Sequence, residues 1–368
     1  MRFPEFEGEW NVKKLGEICK LVRGPFGSAL KKDFFVNEGY AVYEQSHAIN
    51  NNFNSFRYYI TKEKFNELKR FSVHPQDLIM SCSGTMGKFA IVPKESKKGV
   101  INQALLKLTT KENYNYKFIK SVLELPDTQN KLLSQSAGGA IKNIVGIPQI
   151  KEMDLHIPIL KEQQKIASFV SLIDHRIETQ SQIIEELETL KKGLIRSFIR
   201  KKAMNILLKD CLNCHSSTLM ESAVIEKKGT YPVYGATGII SYTPDYEIEK
   251  DAILIIKDGA SVGKVQYAKD KYSVIGTLNY LTPKENVSLK YLYYYLQSFN
   301  FEKYKVGSGI PHIYFKDYGN EYIYCPPLEK QNKIANFLSA IDEKLETEKQ
   351  ILKKYTEQKK YLLANMFI

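Results

Sequence analysis

Cationic, hydroxyl and amide side chains gather on glycine-punctuated loops in this chain, which equips those loops to hold phosphate and base edges. Arg23-Gly24-Pro25-Phe26-Gly27-Ser28-Ala29-Leu30-Lys31-Lys32 carries three cations and a hydroxyl, and Gln45 and His47 follow a strand-like run. Arginine matches guanine, glutamine or asparagine matches adenine, and lysine or serine matches phosphate. Lys88 and Lys142 extend the candidate set in the first half. Tyr234, Thr237, Tyr242, Lys257, Lys264 and Asn279 fill comparable places in the second. Taken singly, each reads more readily as a surface or structural residue than as a base reader; the pattern across loops is what points to nucleic acid.

Two further motifs invite chemistry and fall short of it. The loops Gly84 to Lys88 and Gly259 to Lys264 resemble phosphate cradles, but Phe89 and Val265 stand where a Walker loop needs Ser or Thr. A tight strand-to-strand turn explains their glycines somewhat better, while for Lys88 and Lys264 the turn and a role in neutralising phosphate stand level. Cys211-Leu212-Asn213-Cys214-His215 matches the pattern of c-type haem attachment. That chemistry needs an export compartment, and zinc would need a fourth ligand that no spacing supplies. The expectation is two incidental thiols beside a histidine. There is no G-x-G-x-x-G, no H-E-x-x-H and no Asn/Asp-Pro-Pro-Tyr/Phe tetrapeptide. The reading is therefore no catalytic residues, no metal and no cofactor in this chain, with a site assembled from distant residues as the open exception.

The elements that must position these residues come in two copies. Residues 157–174 and 325–342 share ten identities in eighteen positions without a gap: Pro158, Leu160, Gln163, Lys165, Ile166, Ala167, Phe169, Ser171, Ile173 and Asp174 recur 168 residues later. A period this long is a duplicated domain rather than a solenoid unit. Each copy opens a long helix. Ile166, Ile173, Gln180, Leu187 and Leu194 recur every seven residues, with Val170, Ile177, Ile184 and Phe198 four positions behind. Ile334, Ile341, Glu348, Tyr355 and Leu362, with Leu338, Leu345, Leu352 and Met366, repeat the pattern. Such heptads predict coiled-coil helices over 161–202 and 329–368, each about 60 Å long. Gln180 and Glu348 occupy the same seam slot, where a lone polar residue either fixes register or marks a solvated gap. A two-fold relation between the halves predicts antiparallel helices with facing seams.

The stretches before the helices carry strand-like runs at 40–43, 78–81, 89–92, 231–234 and 252–256. They too correspond. Tyr40-Ala41-Val42-Tyr43 answers Tyr231-Pro232-Val233-Tyr234, and Gly87-Lys88 answers Gly263-Lys264. Gly138-Gly139-Ala140-Ile141-Lys142-Asn143-Ile144 answers Gly307-Ser308-Gly309-Ile310-Pro311-His312-Ile313. The predicted organisation is a first globular domain over 1–158, a helix over 159–202, a diverged second domain over 203–327 and a helix over 328–368. The fold class is α+β with an internal pseudo-two-fold repeat.

Bulk properties agree with an anionic partner. The chain has 368 residues, 43 % of them hydrophobic, and a net charge of +12. The four segments carry net charges of +7, +3, 0 and +2 in order, so the excess lies in the first domain and the helices. No apolar run reaches the length of a membrane span, the start Met1-Arg2-Phe3-Pro4 lacks a signal pattern, and five irregularly spaced cysteines read as free thiols. A cytoplasmic location is the expectation.

This order of domain, helix, domain, helix resembles the specificity (S) subunit of Type I restriction-modification enzymes. The resemblance rests on Leu160-Lys161-Glu162-Gln163-Gln164-Lys165-Ile166-Ala167 and Leu328-Glu329-Lys330-Gln331-Asn332-Lys333-Ile334-Ala335. Both look like the helix openings of that family's two repeat regions. Arg23-Gly24-Pro25-Phe26-Gly27-Ser28, Ile101-Asn102-Gln103-Ala104 and Pro232-Val233-Tyr234-Gly235 support it. It implies two globular target recognition domains of mixed α/β structure, separated by two long antiparallel coiled-coil helices. Each domain would read half of a split double-stranded DNA site, and the helices would set the spacing. It also implies two modification (methyltransferase) subunits and restriction subunits as partners, which carry the S-adenosylmethionine and nuclease chemistry. The neutral second domain departs from the basic character of the first. A Type IIB-like specificity subunit and a coiled-coil scaffold that binds protein are the alternatives.

Overall fold

β-Branched and aromatic runs bounded by glycine turns form the strands, and the two uninterrupted heptad stretches form the helices. The computed structural model describes residues 2–135, 142–144, 146–200 and 203–367. The chain divides into two compact units, residues 1–179 with 352–368 and residues 180–351.

In the first unit an antiparallel sheet takes the strand order Cys19–Arg23, Leu105–Thr110, Leu78–Ser81, Phe89–Ile91. A second sheet has the order Phe35–Val36, Tyr59–Ile60, Tyr40–Tyr43, Gly99–Ile101, and its last pair is parallel. The second unit repeats this plan. Its antiparallel sheet runs Leu212–Ser216, Leu278–Pro283, Ala252–Ile256, Val265–Ala268. Its other sheet runs Gly238–Thr243, Tyr231–Gly235, Lys271–Val274, Ile248–Glu249; the parallel pair is central here, because the short fourth strand joins beyond it rather than at the opposite edge. Tyr40–Tyr43 and Tyr231–Gly235 thus hold the same topological place, as their sequences suggest. Ala252–Ile256 is buried along its whole length, which is why it reads as an unbroken apolar run without alternation.

The long helices span Leu160–Ile195 and Leu328–Met366; the first passes into a wider turn over Arg196–Arg200. They run antiparallel. In the first unit Lys359 bonds Asp174 at 2.6 Å and Arg176 lies over the Tyr355 ring. In the second unit Lys191 bonds Asp342 at 2.6 Å and Lys349 bonds Glu188 at 2.8 Å. The Lys359–Asp174 and Lys191–Asp342 pairs are the same pair in the two repeats. Lys191 and Lys359 fill the heptad slot that the apolar pattern skips. Ile166, Val170, Ile173, Leu362 and Met366 join the first unit's core, and Ile195, Ile334 and Leu338 join the second's.

The repeated Gln163 and Gln331 tie each helix to the domain before it. Gln163 Nε2 donates to the Pro158 carbonyl at 2.9 Å while its Oε1 accepts from the Asn115 N–H at 2.9 Å. Gln331 Nε2 donates to the Pro326 carbonyl at 2.7 Å and its Oε1 accepts from the Ser288 N–H at 2.8 Å. Asn115 and Ser288 precede the corresponding helices Tyr116–Leu123 and Leu289–Gln297. The neighbouring position has diverged. Glu162 is buried in a two-pronged pair with Arg2 at 2.7 Å, and Lys330 stands at its place in the other copy.

Candidate nucleic-acid interface

In the first unit several loops meet at one end of the strands. The Gly24 N–H donates to Leu105 and the Cys82 N–H to Ala104, both at the start of Leu105–Thr110. The Asn102 N–H donates to the Tyr43 carbonyl at 2.9 Å, which brings in the start of the helix Gln45–Asn50. A Cβ on residue 24 would lie 1.8 Å from the Asn102 carbonyl oxygen, so this close approach requires glycine. Arg23, the 83–88 turn and Gln45 are thereby gathered around Asn102 and Ala104. The Arg23 guanidinium lies beside the buried Cys82 thiol, which burial pushes up to about 11 against the pull of that charge.

The two glycine-lysine loops are hairpin turns. Gly87 and Gly263 have φ of 75° and 85°, a region that favours glycine, and each donates its N–H back across the hairpin, to Ser81 and Ile256. The Ser81 hydroxyl braces the first turn, donating to Thr85 at 2.6 Å and accepting from the Lys88 N–H at 3.1 Å. The glycines therefore serve the turn, and Lys88 and Lys264 extend from it into solvent. In the second unit Thr237, at the tip of the hairpin Tyr231–Thr243, and Lys264 line one cleft of about 780 Å³ whose floor includes Val265, Leu296 and Phe299.

The remaining candidates divide by exposure. Ser28, Lys31, Lys32 and Tyr242 are exposed. Gln45 is half-buried, and its Oε1 meets no hydrogen-bond donor among the described residues. His47 is buried; its Nδ1 accepts from the Glu44 N–H at 2.9 Å, and its ring stacks on Phe56 at 4.7 Å. Asn279 is buried and accepts from the Ser216 hydroxyl at 2.9 Å. Tyr234 meets Tyr272 edge-on at 5.6 Å, and burial pushes its hydroxyl pKa up. Lys257 lies 3.8 Å from Asp258, which also holds His312 at 2.7 Å. His47, Asn279 and Tyr234 are committed to the fold; no sequence signal separates such residues from exposed ones on neighbouring loops. Lys142 lies in the strand Lys142–Ile144, and Gly138, Gly139, Ala140 and Ile141 lie outside the described residues.

The Cys-x-x-Cys-His segment has a structural setting. Cys211 is buried and hydrogen-bonds Cys325, which pushes Cys211 up and Cys325 down, and burial pushes Cys214 up to about 11. His215 bonds the Thr282 hydroxyl at 2.9 Å and stacks on Tyr280. Among the described residues no three metal-ligating side chains come together.

The model of the Type I restriction modification DNA specificity domain matches this chain twice, over residues 7–189 and 201–356. The chain belongs to the Type I restriction-modification DNA specificity family. The two matches correspond to the two sets of sheets, and they give this specificity chain two target recognition domains. The Type I restriction enzyme MjaVIII specificity subunit of Methanocaldococcus jannaschii is 23 % identical over 420 residues, covering 99 % of this chain and 92 % of that protein. The crystal structure of a Type-I restriction-modification S subunit from M. genitalium shares the fold. Its TM-score is 0.67 at 20 % identity, over 100 % of this chain and 99 % of that one. A chain from a structural study of type I R-M complex assembly and conformational transition matches with a TM-score of 0.57 at 16 % identity, over 99 % and 98 %. Among the described residues no helix of this specificity chain is long and apolar enough to cross a membrane.

Proposed function

We propose that this specificity chain reads a two-part double-stranded DNA sequence, one part per target recognition domain, with the long helices setting the gap between the parts. The domains span residues 1–158 and 203–327 and the helices 159–202 and 328–368. The observation that supports this reading is that Arg23, Gln45 and Lys88 lie on loops tied together around Asn102 and Ala104 in the first domain, and that Thr237 and Lys264 line one cleft in the second. The contact set is Arg23, Ser28, Lys31, Lys32, Gln45 and Lys88 in the first, and Thr237, Tyr242, Lys257 and Lys264 in the second. His47, Asn279 and Tyr234 act behind them as supports.

The chain itself carries out no bond-breaking step. It works in the cytoplasm with two modification subunits and with restriction subunits, which supply methyl transfer and cleavage. Recognition is direct: amide and guanidinium groups pair with base edges in the major groove, and lysines replace condensed counterions along the phosphates.

Salt titration tests this. Binding of the chain in complex with its modification subunit should weaken linearly in log K against log salt. Lys88→Ala and Lys264→Ala should each reduce the slope by about 1, uniformly across sequences. Slopes unchanged in both variants would remove these lysines from the interface, and salt-independent binding would favour a protein-binding scaffold.

A further inference from the structure

Phe26 is 89 % exposed, the most exposed large apolar side chain among the described residues. Leaving such a ring in water forfeits the gain that burial would bring. The backbone beneath it is nevertheless fixed. Gly24 is locked against Asn102, Pro25 is buried, the Ala29 N–H donates to the Phe26 carbonyl at 2.9 Å, and Leu30 is buried in the core with Val42, Ile60 and Val100. The ring therefore projects from a braced loop. Along the same loop the sequence carries Arg23, Ser28, Lys31 and Lys32, with Asp33 as its one carboxylate.

We propose that Phe26 is a specificity-determining residue of the first domain, packing on a thymine C5-methyl group in the major groove. This rests on the DNA-reading function proposed above and names one contact within it. Cations before and after Phe26 along the loop fit a polyanion. A phenyl ring carries no hydrogen-bonding group and gains nothing from phosphate, so its complement is apolar. The thymine methyl is the apolar group that the major groove displays. The braced backbone lets the ring dock without first ordering the loop, which lowers the cost of binding. Nothing in the domain core depends on the ring.

The test uses the full chain in complex with its modification subunit. Its cognate site is first obtained by methylome sequencing, and binding is measured by fluorescence anisotropy. Phe26→Ala should weaken binding to the cognate duplex about tenfold, with unchanged affinity for unrelated duplex and an unchanged melting temperature. Each thymine of the first half-site is then replaced by deoxyuridine, which deletes only the methyl. One replacement should weaken wild-type binding about fourfold, the worth of one buried methyl, and leave Phe26→Ala binding unaffected. Phe26→Leu should keep most of the wild-type affinity and the uracil response. Equal cognate affinity for wild type and Phe26→Ala would overturn the proposal, as would a loss in Phe26→Ala with no uracil-sensitive position in the wild type. A wild-type complex without any cognate preference would instead overturn the DNA-reading function itself.

Discussion

Gln163 and Gln331 show at the level of single residues why the helix openings stayed alike while the domains diverged. Each uses both ends of one amide, donating to a proline carbonyl and accepting from the N–H that precedes a domain helix. No other side chain of that length offers a donor and an acceptor together. Gln331→Leu leaves the Ser288 N–H and the Pro326 carbonyl unpaired in a buried place, which costs about 1–3 kcal/mol. It should lower the melting temperature by several degrees, and an unchanged melting curve would show that the bonds contribute nothing. Identity at these positions was legible in the sequence; its cause was not, because Asn115 and Ser288 carry no sign of their long-range partners. The proposed contact residues were legible by type only. Exposed Lys88 and buried His47 both sit beside predicted strands, and the backbone path alone separates them. The exposure of Phe26 is a property of the folded loop and carries no mark in the sequence.

The helices carry their register in their own sequences. Gln180 and Glu348 meet in the buried seam, where Gln180 Nε2 donates to the Glu348 carboxylate and, at 3.2 Å, to its backbone carbonyl. The hydrogen bond from Lys344, with that from Gln180, holds the Glu348 carboxyl below the usual carboxylate range. A lowered folded-state pKa means that this contribution is fully present above the unfolded value, near 4.3, and is lost as pH falls through the folded one. Gln180→Glu would set two carboxylates against each other in one slot. That variant should melt below wild type at pH 7 and recover toward it as the pH drops to about 5 and one carboxyl takes up a proton. Glu348→Gln should flatten the acid limb of the curve. Parallel curves of melting temperature against pH for wild type and Gln180→Glu would refute a paired slot. Of the two readings open for these residues, register device or solvated gap, the hydrogen bonds favour the first. The heptads also skip residues 191 and 359. The Lys191–Asp342 and Lys359–Asp174 pairs explain why charge is tolerated there.

At the scale of the whole molecule, one duplicated plan serves two unequal readers. The antiparallel sheet of the second domain repeats the strand order of the first, and each mixed sheet keeps one parallel pair, yet the net charge falls from +7 to 0 between the domains. A shared topology with a different surface is what two half-sites of different sequence would require: in the proposed reading the strands place the loops, and the loops choose the bases. This division was legible in the sequence because heptads and strand runs are periodic. The target was not, since base contacts arise from aperiodic loops. Independent reading by the two domains is the central claim, and exchange of residues 1–158 for the first domain of another specificity subunit tests it most directly. Methylome sequencing of a host expressing the exchanged chain with its modification subunit should show one half-site replaced, and the other half-site and the gap retained. Replacement of both half-sites, or of neither, would contradict the account.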